Sequence, residues 1–217
     1  MGPVTVPHES PPLRKDARRN RERLIRAASA LFAENGLDVP LEKISGEAGV
    51  SIGTLYNRFP TRDLLLEAVF VDRLEHVAGL VETALADEDP WRGLVGYLTS
   101  VCELQSADRG FNELAARGFA NSPGVDPLHR TARKLMAELL DRAKRAGTLR
   151  PDLAVEDLAF VVWGISRTIE LTADTAPDVW RRHLGLLLDG FRADSARPLS
   201  VPPLEPDPRY VVTQDTQ

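Results

Sequence analysis

Three observations on this chain of 217 residues predict an all-α fold. Apolar residues recur at i, i+3, i+4 and i+7 through most of its length. No alternating stretch is long enough to make a useful strand, and no internal repeat is present. Glycines, prolines and Asp-Pro pairs cut the helical pattern into about nine pieces. The layout expected is a small three-helix head at the N-terminus and a larger helical body behind it.

Residues 1–13 hold four prolines and little apolar material, and read as a disordered lead-in. A first helix is expected over 16–35, with Leu24, Ala27, Ala28 and Leu31 on one face and Phe32 beside them. Gly36 ends it. A short helix over 41–48 meets a turn at Gly49, and Ser51 caps a third helix that ends near Asn57. Pro60 and Thr61 open a long fourth helix over 62–86, striped by Leu66, Phe70, Leu74, Val77 and Val81. Asp89-Pro90 starts the fifth, since an N-cap followed by proline needs no N–H at the first helical position. Asp108-Arg109-Gly110 stops it, and a brief helix follows over 111–120. Asp126-Pro127 starts a seventh with Leu128, Leu135, Leu139 and Ala143 inward. The eighth, over 155–173, and the ninth, over 177–193, are the most apolar, and the proline-rich stretch 195–217 reads as a disordered tail.

Charge is unevenly shared. Residues 1–63 carry 10 Lys+Arg against 8 Asp+Glu, whereas the remaining 154 carry 17 against 24, within a net charge of −5. Seven of the early cations lie between Arg14 and Arg26. An acidic body with a basic arm suits a protein that touches DNA at one end and keeps the rest away from it.

The second and third short helices around Gly49 have the form of a helix-turn-helix. A recognition helix must bring its backbone close to the duplex, so small residues belong on its approaching side, and Ser51, Gly53 and Thr54 supply them. Ser51 and Thr54 can also bond phosphates or base edges. Leu55 points back into the head, Tyr56 can pack its ring while its hydroxyl reaches a phosphate, and Asn57 and Arg58 extend the polar edge. Phe59 closes the small core. Arg62 adds its charge to the positive end of the fourth helix, with a phosphate as the expected partner. Arg18 and Arg19, with Arg21, supply attraction without sequence preference.

The segments AASALFAENG and EKISGEAGVSIGTLYNRFPTRDLLL resemble the DNA-binding domain of the tetracycline-repressor (TetR-like) family across roughly residues 20–70. The resemblance implies a homodimer, two helix-turn-helix units on a double-stranded DNA operator, and repression released by a small-molecule effector. It places Ser51, Gly53, Thr54, Tyr56, Asn57 and Arg62 where the family contacts DNA. Ile52 falls on a variable contact position that is often basic, where an apolar side chain could meet a thymine methyl. Pro40 stands where a Ser or Thr usually caps the second helix and touches a phosphate. Ser45-Gly46 replaces a more helix-favouring pair, and Arg62 replaces a lysine.

The implied organisation is a lead-in (1–13), a DNA-binding head (14–61), an effector-binding and dimerisation body (62–194) and a tail (195–217). In the body, Tyr97, Cys102, Gln105, Phe111, Phe119, Trp163 and Arg167 are the candidates for an effector pocket, although Arg167 could equally pair with Glu170 and the aromatics could be plain core. The ninth helix is apolar on more than one side, with Trp180, Leu184, Leu187 and Phe191 on one stripe, His183 beside it and Leu186 and Leu188 off it. Such a helix needs two burial surfaces, so these residues are candidates for a dimer interface. The four histidines and single cysteine lack metal-ligand spacing, and no GxSxG, P-loop or GxGxxG occurs. No enzyme activity, metal or cofactor is expected. No run is apolar and long enough for a membrane helix, no signal peptide is apparent, and the cytoplasm is the expected location. A helical protein of the same fold that binds DNA or a partner without any effector is the competing reading.

Overall fold

The protein is described by a computed structural model over residues 11–117, 126–194 and 196–204. Among the described residues it forms nine α-helices and no strand, with one isolated bridge between Leu149 and Arg192. The helices are α1 (Pro11–Asn35), α2 (Leu41–Glu47), α3 (Ile52–Arg58), α4 (Arg62–Ala86), α5 (Pro90–Ala107), α6 (Arg109–Arg117), α7 (Asp126–Arg145), α8 (Val155–Thr172) and α9 (Val179–Phe191).

Helix α9 is two residues shorter at each end than expected, and two other boundaries differ for identifiable reasons. The first helix begins at Pro11 rather than Asp16. Prolines are tolerated in a first turn because the N–H groups there have no intrahelical acceptor, so Pro11-Pro12 open the helix instead of preceding it. Asp108 does stop α5, but Arg109 and Gly110 already belong to α6. The Asp108 carboxylate accepts from Phe111 N at 2.9 Å, making it a cap rather than part of a loop. The tail also differs. Residues 196–204 are held rather than disordered at their root: Arg150 donates to the Arg197 carbonyl (2.8 Å) and to Gly190 O (3.1 Å) while pairing with Asp152 (2.5 Å).

Helix α4 joins two cores. Its first half, through Leu65, Val69 and Phe70, closes a cluster with Leu24, Ala28, Phe32, Leu37, Ile44, Leu55 and Phe59. Its second half, through Val81 and Ala84, enters the body core of Trp91, Leu94, Leu98, Leu139, Ile165 and Trp180. Of the expected stripe only Phe70 and Val81 are fully buried; Leu66, Leu74 and Val77 are half-buried against the head cluster. Each fully buried side chain of this size contributes about 1.5–3 kcal/mol of burial free energy, so both cores are anchored by α4. Arg142 ties α7 to the end of α4 by donating to the carbonyls of Leu85 and Asp87.

Helix α6 connects the head to the body. A Cβ added to Gly110 would lie 2.8 Å from Phe32 O, so only glycine lets α6 approach α1 this closely. Phe111 then stacks into the head, its ring 6.3 Å from that of Phe70, which in turn lies 6.2 Å from Phe32.

Candidate nucleic-acid interface

The helix-turn-helix is built by local hydrogen bonds. Gly49 takes a left-handed φ of 62°, as the expected turn requires, and its N–H donates to Gly46 O at 3.0 Å. Arg23, on α1, donates to the Gly49 carbonyl at 3.3 Å and so holds the turn against the first helix. Ser51 caps α3, its Oγ accepting from Thr54 N at 3.2 Å and lying 2.9 Å from Thr54 Oγ1. Leu55 and Phe59 point into the core, and Arg21 covers the Phe59 ring at 5.5 Å.

What α3 leaves outside is the expected reading surface. Ser51, Gly53, Asn57 and Arg58 are exposed, Tyr56 is 48% exposed, and Ile52 and Thr54 are half-buried at its edge. The nearest side-chain atom to a Cβ added at Gly53 would be Ser51 Oγ at 3.9 Å, so the helix backbone there is open to close approach. Arg18 and Arg19 are exposed on α1. Arg18 makes only a loose surface pair with Glu22, at 3.6 Å, and its charge stays available to a polyanion.

Pro40 and Arg62 behave differently from a simple contact. Pro40 sits at the N-cap of α2 with no side-chain cap bond, and its carbonyl accepts from Lys43 N and Ile44 N. Arg62, expected on a phosphate, turns inward. One guanidinium nitrogen donates to both Leu37 O and Val39 O (2.8 Å to the latter), and the group lies 5.8 Å from the Phe32 ring centroid. The loop between α1 and α2 offers two carbonyls with no helical partner, and these take the charge that sequence position alone assigned to DNA.

The links from head to body were not foreseen. Arg73, on α4, forms an ion pair of 2.6 Å with Asp108 at the α5–α6 corner and lies 3.4 Å from Ser29 Oγ on α1. Glu113, on α6, accepts from Leu37 N at 2.8 Å. The cap signature of Asp108 three residues before Phe111 was the available signal for the first of these links.

In the body, the seven pocket candidates do not form one group. Tyr97, Cys102 and Gln105 lie along α5. Cys102 and Gln105 are each 1% exposed, and burial pushes both the Tyr97 phenol and the Cys102 thiol up to about 12. Phe111 belongs to the head cluster instead, because the close α6–α1 approach carries its ring toward Phe70. Arg167 is exposed and paired with Glu170 at 2.7 Å, the alternative already weighed from sequence. Trp163 is half-buried, edge-on to Phe160 at 5.5 Å. Phe119 lies outside the described residues.

The interface candidates on α9 also divide. Trp180 (1% exposed) and Leu184 (3%) are core of the same chain, continued by Leu188. A periodic stripe does not say which of two apolar faces turns inward, so the sequence makes them candidates for a partner as well as for the core. Leu187 and Phe191 are half-buried against that core, and His183 is half-buried between helices with Nδ1 2.7 Å from Thr168 Oγ1. The exposed large apolar side chains on these two helices, among the described residues, are Phe160 and Leu171 on α8 and Leu186 on α9.

Among the described residues no group of His, Cys, Asp or Glu could hold a metal ion, and no helix is long and apolar enough to cross a membrane. Comparison with known proteins agrees with this architecture. Residues 24–69 match the family described as bacterial regulatory proteins, tetR family, and residues 89–193 match the C-terminal domain of SbtR-like transcriptional regulators. The chain is similar to a solved TetR transcription regulatory protein from Mycobacterium vanbaalenii: 32% identity, covering 83% of this chain and 99% of that one, TM-score 0.50. A solved TetR transcriptional regulator from Streptomyces coelicolor is 31% identical, covering 79% and 98%, TM-score 0.52. The HTH-type transcriptional repressor KstR2 of Mycolicibacterium smegmatis is 26% identical over 144 residues, which is 63% of this chain and 70% of that relative. With the helix-turn-helix in front and the regulator body behind it, this chain belongs to the TetR family of DNA-binding transcriptional regulators.

Proposed function

We propose that the protein is a homodimeric repressor that holds a palindromic operator through two copies of α3 and releases it when a small molecule enters the body. The observation that carries the release is the pair of links to the head from the α5–α6 corner and from α6. Asp108 reaches α1 through Arg73, and Glu113 holds the start of the α1–α2 loop. A ligand that moves the α5–α6 corner therefore moves the recognition helix. Repression rather than activation is supported by the similarity to a named repressor. Dimerisation is supported by the exposed apolar side chains of α8 and α9.

Selection of bound genomic fragments followed by footprinting tests this reading. The expected result is one protected palindrome with half-sites about 34 Å apart, bound by two chains, with affinity falling steeply as salt rises. Equal affinity for all fragments of similar length would refute it and favour the effector-free reading.

A further inference from the structure

Gln105 stands near the end of α5 and is 1% exposed, yet among the described residues neither its Oε1 nor its Nε2 has a hydrogen-bond partner. Buried amides in folded proteins are almost always paired, so this side chain calls for an explanation. A second unpaired atom lies just past the same corner. Asn112 on α6 gives its Nδ2 to the Ser166 carbonyl (3.2 Å) and receives Ser166 Oγ on its backbone oxygen (3.1 Å), which leaves Oδ1 without a partner. Gln105 thus has two N–H donors and one acceptor oxygen unpaired, and Asn112 has one acceptor oxygen unpaired. Behind Gln105 on α5 come Cys102, Val101 and Leu98, all buried.

The charged pair at this corner is already matched: Asp108 is paired with Arg73 at 2.6 Å. An ion brought in beside them would be buried without a counter-charge, which is strongly unfavourable.

We infer that the effector is an uncharged, mainly apolar molecule whose polar head carries an adjacent donor and acceptor, as a carboxamide does, and that the Gln105 amide reads that head. This rests on the ligand-release reading above. The Gln105 amide both donates and accepts, so a head that does both satisfies it better than one that only accepts. The corner it occupies is the one that Asp108 fastens to the DNA-binding head.

A matched set of probes on one ring tests the inference with the full-length protein: toluene, acetophenone, benzamide and benzoate, titrated calorimetrically at pH 7.5. Benzamide is expected to bind at least about tenfold more tightly than toluene or benzoate, with acetophenone between, a factor corresponding to about 1.4 kcal/mol. In Gln105→Leu the benzamide advantage should shrink to about threefold or less while toluene binding persists. The unliganded variant should melt no lower than the parent, because an unpaired amide has been replaced by an apolar group. Gln105→Met serves as a second replacement should the leucine variant fail to fold.

Benzoate binding as tightly as benzamide would overturn the inference. So would a benzamide advantage that survives both substitutions, a lower melting temperature in both variants, or no binding by any of the four probes. Operator affinity measured with benzamide bound separates this inference from the reading beneath it. Binding with the expected discrimination but no change in operator affinity upholds the site and removes the release mechanism.

Discussion

Tyr56 and Arg62 occupy neighbouring positions in the reading head but belong to different parts of the energy balance. The Tyr56 ring is half outside and its hydroxyl serves no internal bond among those described, so its removal leaves the fold alone. Tyr56→Phe is expected to weaken operator binding about fivefold, the value of one ordinary hydrogen bond, with no change in melting temperature. Arg62 closes the α1–α2 loop by donating to two carbonyls. Arg62→Ala is therefore expected to weaken binding to every sequence and also to cost about 2 kcal/mol of stability, the range for hydrogen bonds from a charged donor. Calorimetric melting beside fluorescence anisotropy on one operator fragment separates the two. An unchanged melting temperature in Arg62→Ala would return that residue to a pure phosphate role. The sequence showed the charge at the start of α4; it could not show that carbonyls from the preceding loop would reach it first.

At the scale of the helices, punctuation was the legible part. Thr61 before α4, Asp89-Pro90 before α5 and Ser51 before α3 each mark a start by a side chain that accepts a free N–H, and each start falls where the sequence put it. Facing was harder to read. Helices α8 and α9 are apolar on more than one side, and periodicity does not choose between a core of the same chain and a second molecule, so Trp180 and Leu184, interface candidates by sequence, are core in the structure. Phe111 was misplaced because the α6–α1 approach depends on a contact with Phe32, far away along the chain. That approach gives a prediction of opposite sign at two helical glycines. Gly110→Ala would put a Cβ against the Phe32 backbone and is expected to destabilise the protein by about 1–3 kcal/mol, as overpacking does. Gly96 has nothing within 4 Å of its added Cβ, and Gly96→Ala should stabilise by about 0.5–1 kcal/mol through helix propensity alone. Denaturant midpoints for the two variants, compared with the parent, test whether α6 is truly seated on α1.

For the whole molecule, the charge imbalance and the exposed apolar side chains of α8 and α9 both fit the proposed homodimer. A head with a small excess of cations binds DNA weakly by itself. Two heads held at a fixed spacing gain by effective concentration, commonly a factor of 10²–10⁴. The proposed pairing surface is apolar where a monomer would be polar: Phe160 is 48% exposed, Leu171 65% and Leu186 61%, while the stripe behind them is sealed in the core. Leu186→Glu places a charge on that surface without touching the core, so helicity and melting of the isolated chain should persist. Light scattering on the parent is expected to give about twice the chain mass of 23.9 kDa, and on the variant the single mass. Operator affinity should fall by about a hundredfold or more in step with dissociation, since the lost term is the coupling of two sites and not a contact to DNA. Phe160→Glu, on the neighbouring helix, should give the same result if the face is one surface. A Leu186→Glu protein that remains dimeric and keeps its operator affinity would place the pairing surface elsewhere on the body.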